Sequence, residues 1–220
     1  AAIIIILFHY NIWHKSEFLK AAPKVFTAGQ QMVTFLFVLS GFVLLLAYHD
    51  KPMFSLKEYW IKRSARILPT YLIALLLAIA AEEHISPIAI ILNVLLLQAW
   101  ISPYPGAINS PAWFLSALFF FYATFPLILS YIKRAAPNPK QFLIGALLFW
   151  LAAQIILTGL INSRFNRGFP SYSHDLIYYF PISHYCSFFL GVSLAYFALK
   201  TKLAYSASSS LVLILLSCLS

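Results

Sequence analysis

Charge is what this chain has least of: Asp, Glu, Lys and Arg make up 10% of its 220 residues, against about 25% in an average soluble chain. With 62% hydrophobic residues and a mean hydropathy of +0.84, that scarcity excludes an ordinary water-soluble domain. Negative charge is scarcer still. The acidic residues are Glu17, Asp50, Glu58, Glu82, Glu83 and Asp175, and they fall at the ends of apolar runs or between them. A proton-coupled transporter needs carboxylates in its core, so this placement argues against one. Cysteine is nearly absent. Cys186 and Cys218 lie inside apolar runs without metal-ligand spacing, which leaves them as packing residues and supports no disulfide framework or metal site. Also missing are a Gly-rich phosphate loop, an HExxH motif and a G-x-S-x-G elbow.

What is present is basic and apolar. A net charge of +9 would suggest nucleic acid in a soluble protein. Here the basic residues sit mostly between apolar runs, where they set topology and attract anionic lipid, so membrane lipid is the expected partner and nucleic acid is not. The chain opens inside the run AAIIIILF and stops inside SLVLILLSCLS. Both ends read as cuts through helices, without the basic n-region or small-residue cleavage site of a signal peptide. The expectation is one membrane domain over residues 1–220, truncated at both ends.

Candidate spans cover residues 1–13, 30–48, 67–82, 112–132, 141–161, 176–199 and 205–220. The segment 88–100, IAIILNVLLLQAW, is short of the roughly 20 residues a crossing needs. Basic residues arbitrate its topology. If it does not cross, Lys51, Lys57, Lys62, Arg63, Arg66, Lys133, Arg134, Lys140, Lys200 and Lys202 lie inside, and Lys15, Lys20, Lys24, Arg164 and Arg167 outside. If it crosses, the bias vanishes, so the positive-inside rule makes it re-entrant or interfacial. The fold class is therefore all-α, a polytopic transmembrane bundle with seven to eight helices here. Ser110 followed by Pro111 is expected to open the span after it, Ser as cap and Pro at the first helical position.

Several residues could carry chemistry. His9 lies inside an apolar run, where an ionisable side chain is costly, with Trp13 one turn further on. In KEYWIKRSARILP, Lys62, Arg63 and Arg66 stand at three- and four-residue spacings that can clamp phosphate, though a basic loop also serves orientation and lipid headgroups. The pair Ser40 and Gly41 suits close helix packing. Trp113 and Ser116 share a face near the outer end of their helix, and Arg164, Arg167, His174 and Asp175 share one outer loop.

Five stretches in this order resemble acyltransferase family 3, integral-membrane O-acyltransferases of surface glycans and related acceptors. They are LFH (7–9), FLFVLSGF (35–42), WIKRSARILPTY (60–71), SPAWFLSALFFFYATFPLIL (110–129) and FPISHYCSFFLGVSLAYF (180–197). The resemblance implies about ten helices in the full-length protein. It implies acyl-coenzyme A as a cytosolic co-substrate, with no permanently bound cofactor, and transfer to a hydroxyl of an extracytoplasmic carbohydrate or glycolipid. By position His9 matches the family's essential histidine, and Arg63 and Arg66 its arginine pair. The basic residue eleven positions before that histidine would precede Ala1. Leu118 stands where many members carry Glu, and Phe114 replaces a Ser.

On that resemblance His9 is the expected base, or the group acylated in passing. Ser116 or the Trp113 N–H is the expected oxyanion donor. Arg63, Arg66 and Lys62 are the expected donor-binding cations, and Arg164, Arg167, His174 and Asp175 the acceptor-binding residues. The acyl group is expected to be acetyl, and the location a bacterial cytoplasmic membrane. The alternative class is a transporter or flippase for a lipid-linked glycan.

Overall fold

A computed structural model describes residues 29–51, 54–82 and 84–201, so His9 and the spans expected at 1–13 and 205–220 lie outside the described residues. All the regular structure among the described residues is helical: α1 Gly29–Tyr48, α2 Leu56–Ala81, α3 Pro87–Val94, α4 Trp113–Ala135, α5 Pro139–Ile161, α6 Tyr172–Tyr178 and α7 Pro181–Lys200. Among the described residues five stretches are long and apolar enough to cross a membrane, namely Gln31–Tyr48, Leu56–Ala81, Ser110–Ala135, Pro139–Ile161 and Tyr172–Lys200. The contacts divide into two compact units, Ala1–His49 with Pro137–Trp150 and Ser187–Ser220, and Asp50–Ala136 with Leu151–Cys186.

In the first unit small residues set the distance between helices. A Cβ on Gly41 would strike the Phe188 carbonyl oxygen, and one on Gly191 the Val38 carbonyl oxygen. Only hydrogen at these positions lets α1 and α7 approach so closely, which is how membrane helices gain contact without a hydrophobic drive. Phe142 packs edge-on against Phe189 and Tyr196, and the Tyr196 hydroxyl donates to the Pro137 carbonyl at 3.0 Å.

In the second unit α2 and α4 run antiparallel. Lys133 Nζ donates to the Lys51 carbonyl (2.7 Å), Tyr59 stacks on Phe125 and donates to the Tyr122 carbonyl (2.8 Å), and Trp60 meets Phe119. Further along, Tyr71 and Leu75 share a buried cluster with Leu96 and Ala112. Ser55 caps α2 by accepting from the Glu58 N–H (3.3 Å). The helix then runs unbroken through Pro69 to Ala81, about 39 Å. Its start at Leu56 rather than 67 places the whole cationic run on helix instead of in a loop before it. Proline removes one helical donor there, a loss that membrane helices tolerate.

Helix α3 has eight residues, about 12 Å, less than half of a ~30 Å hydrocarbon core. Residues 88–100 therefore end as the non-crossing segment their length implied. Polar side chains satisfy the irregular backbone around it: Tyr71 donates to the Asn93 carbonyl (2.7 Å), Gln98 to Ala112 (3.0 Å) and Ser116 to Leu96 (2.6 Å). Non-helical chain near a membrane persists only when protein supplies such partners.

Two boundaries differ from expectation. Ser110 does not cap α4: a 3-10 turn, Ser110–Ala112, precedes that helix, with Asn109 at the cap position of the turn and Ala112 at that of the helix. The span expected at 176–199 is broken between α6 and α7 at Tyr179 and Phe180. Pro181 has no N–H to continue the ladder and disfavours helical geometry in the residue before it. The carbonyls thus released are taken from α7, Leu176 by the Ser183 hydroxyl (3.0 Å) and Tyr178 by His184 Nε2 (3.0 Å).

Candidate functional site

The second unit carries two polar regions along α4, one beside its middle and one at its start. Near the middle of that helix, the Arg63 guanidinium lies 5.8 Å from the Tyr122 ring centroid. The positive charges of both Arg63 and Arg66 act on Tyr122, so the pair shares one neighbourhood. Arg63 is half-buried and Arg66 exposed. Lys62 is ion-paired with Glu58 one turn earlier, with both side chains more than half exposed. The three cations are therefore divided: an arginine pair beside α4, and a lysine neutralised by its own helix.

At the start of α4 the side chains make a different kind of site. The Trp113 ring packs against Tyr179 (5.4 Å) and His184 (5.1 Å). Tyr179 in turn meets His174 edge-on (5.3 Å), and His174 stacks on Tyr178 (4.5 Å). Ser171 caps α6 by accepting from the His174 N–H, which presents the next residue, Asp175, from the first turn. The Asp175 carboxylate, 9% exposed, accepts from the Ser102 hydroxyl at 2.6 Å, and its other oxygen lies 3.5 Å from His174 Nδ1.

Beside this carboxylate opens a cleft of about 410 Å³ lined by residues of 102–110 and 169–179, with a smaller one of about 60 Å³ next to it that also shares Ser102, Tyr172 and Asp175. A carboxylate, serine hydroxyls and exposed aromatic rings suit a ligand rich in hydroxyl groups.

The structure sorts the expected residues. It joins Trp113, His174 and Asp175 through Tyr179. Ser116 is buried and donates to the Leu96 carbonyl, which holds the 95–98 backbone to α4. Arg164 and Arg167 are exposed, and neither is among the residues lining the clefts. What Arg167 contributes is its backbone N–H, donated to Ser173 Oγ at 3.1 Å. Sequence reasoning missed Ser102, Tyr179 and His184. The stretch FPISHY contained the signal for His184, a helix-breaking proline followed two and three residues later by side chains able to take freed carbonyls.

No group of three or more His, Cys, Asp or Glu that could hold a metal ion occurs among the described residues. The profile of the acyltransferase domain family Acyl_transf_3 matches residues 1–220. Acyltransferase MdmB of Streptomyces mycarofaciens is 32% identical over 157 residues, which is 66% of this chain and 39% of that protein. The chain thus matches well under half the length of this curated relative. No solved structure matches it. With a family match along its whole length and a relative of that kind, the chain belongs to acyltransferase family 3.

Proposed function

We propose that the chain is the membrane part of an O-acyltransferase that moves an acyl group, acetyl in the simplest case, from cytosolic acyl-coenzyme A to a hydroxyl of an extracytoplasmic carbohydrate or glycolipid, in a bacterial cytoplasmic membrane. The observation that carries this reading is the separation of two unlike sites along one helix. The arginine pair lies beside Tyr122, and the hydroxyl-lined cleft lies beyond Trp113. Nine residues of α4 separate these positions, about 14 Å at 1.5 Å per residue.

Arg63 and Arg66 supply forked donors for coenzyme A phosphates, and Lys62 adds charge once released from Glu58. Asp175, with His174 beside it, orients the acceptor hydroxyl. Arg164 and Arg167 meet more distant parts of the acceptor from the exposed loop. His9 removes the hydroxyl proton as oxygen attacks the thioester carbonyl; the C–S bond then breaks, the ester forms, and the imidazolium returns the proton to the departing sulfur as the coenzyme A thiol. The Trp113 indole N–H, beside Tyr179 of the cleft, donates to the developing oxyanion in this reading.

The test is mass spectrometry of surface glycans from cells with and without the full-length gene, read as loss of an ester-linked acyl mass. His9→Ala should leave protein in the membrane and abolish transfer. Retained transfer removes His9 from the reaction, and an unchanged glycan profile without the gene removes the carbohydrate acceptor.

A further inference from the structure

The cleft beside Asp175 has a charge pattern that goes beyond the proposed reaction and rests on it. Its volume of about 410 Å³ falls within the ~300–1,000 Å³ typical of small-molecule sites. Ser102 and Ser171 bring hydroxyls, while Phe169 and Tyr172, 73% and 67% exposed, bring broad apolar faces. Among the described residues that line it, the single formal charge is Asp175, and none is a lysine or arginine. The carboxylate has about four acceptor sites, of which the Ser102 hydroxyl uses one at 2.6 Å. Carboxylate and hydroxyls can therefore bond ligand hydroxyls, and the rings can cover the C–H face of a pyranose. An acidic sugar would bring a second negative charge close to the Asp175 carboxylate, which is itself only 9% exposed.

We infer that this cleft is a sugar-binding subsite that takes uncharged pyranose rings and turns away uronic acids, with Asp175 as the discriminating group and Tyr172 as the platform. Exposed aromatics near a membrane surface also serve as interfacial anchors. An anchor would change insertion, not ligand affinity.

The experiment uses detergent-solubilised full-length protein and saturation-transfer NMR with the methyl glycosides of glucose, galactose and mannose, each beside its matching uronic acid. Coenzyme A binding is measured on the same preparation. At least one neutral glycoside should bind, with its uronate at least tenfold weaker. Asp175→Asn should narrow that gap to under threefold. Tyr172→Ala removes a ring that is 67% exposed, and should weaken the neutral glycoside at least tenfold with coenzyme A binding unchanged. Protein that binds coenzyme A but no neutral glycoside, or binds uronates equally well, overturns the inference and leaves acyl transfer standing. An unchanged affinity in Tyr172→Ala overturns it as well. Glycoside binding as expected, without binding or turnover of acyl-coenzyme A, overturns the acyl-transfer reading instead.

Discussion

Ser102 and Asp175 stand 73 residues apart in the chain, and their side chains meet at 2.6 Å, hydroxyl donating to carboxylate. The bond ties the irregular segment after α3 to the first turn of α6, and the cleft opens between the two segments it joins.

Ser102→Ala should loosen this tie. Hydrogen bonds to a charged group contribute about 1.5–3 kcal/mol. The thermal midpoint of purified protein should fall, with Ser102→Thr recovering most of the loss. Equal midpoints for wild type and Ser102→Ala would show that the bond does not hold the two segments.

His184→Ala should be costlier. It leaves the Tyr178 carbonyl without its side-chain donor at the helix break and opens space beside Trp113. Orphaned polar groups cost about 1–3 kcal/mol and a large-to-small change adds a cavity, so folded yield should drop sharply. His184→Gln, which can still donate to the carbonyl, should restore part of it. A variant glutamine no better than alanine would assign the loss to packing alone.

Gly41→Ala and Gly191→Ala each place a methyl group against a backbone carbonyl that cannot swing aside. Either should destabilise the bundle by about 1–3 kcal/mol, the usual range for overpacking. Gly145→Ala, with open space around it, should be neutral or slightly stabilising in the same unfolding assay.

Arg63→Lys keeps the charge but loses the fork and the planar face toward Tyr122. If the pair holds coenzyme A, KM for the acyl donor should rise about tenfold or more while neutral glycoside binding stays unchanged. A change in kcat alone would remove Arg63 from donor binding.

Orientation is open to direct labelling. Asn166→Cys and Asn138→Cys place thiols in the loops on opposite sides of α5, while Cys186 is buried. An impermeant maleimide added to intact cells should label position 166 and spare 138. The reverse pattern would invert the reading of which side faces the cytosol.

The helices most legible in the sequence were those whose apolar runs match their length, α1, α4 and α5, where boundaries differ from expectation by at most three residues. Residues 88–100 were legible as non-crossing for the same reason. The start of α2 was not, because Lys57, Glu58, Lys62, Arg63 and Arg66 read as loop by hydropathy, while the Ser55 cap and packing against α4 make them helix. The α6–α7 break was visible only as Pro181 within an apolar stretch, where proline is compatible with either a kink or a stop.

Of the candidate site, the cationic run and the Asp175 loop could be named from residue types, but their company could not. Ser116 and Trp113 share a helical face at three-residue spacing, yet one hydroxyl is committed to the Leu96 carbonyl and the other side chain joins Tyr179 and His184. Ser102 carried no signal at all, since a serine beside a proline in a loop is unremarkable until a distant carboxylate reaches it.

By itself the sequence determined that the chain is helical, apolar enough to cross a membrane several times, and built on the motif order of one enzyme family, because helix length, hydropathy and motif spacing are properties of neighbouring residues. Tertiary structure alone decided that Asp175 faces Ser102 beside a cleft and that Arg63 turns toward Tyr122. Those pairings depend on how distant segments pack, through glycine-sized approaches and carbonyls that must each find a donor, and no local pattern encodes them.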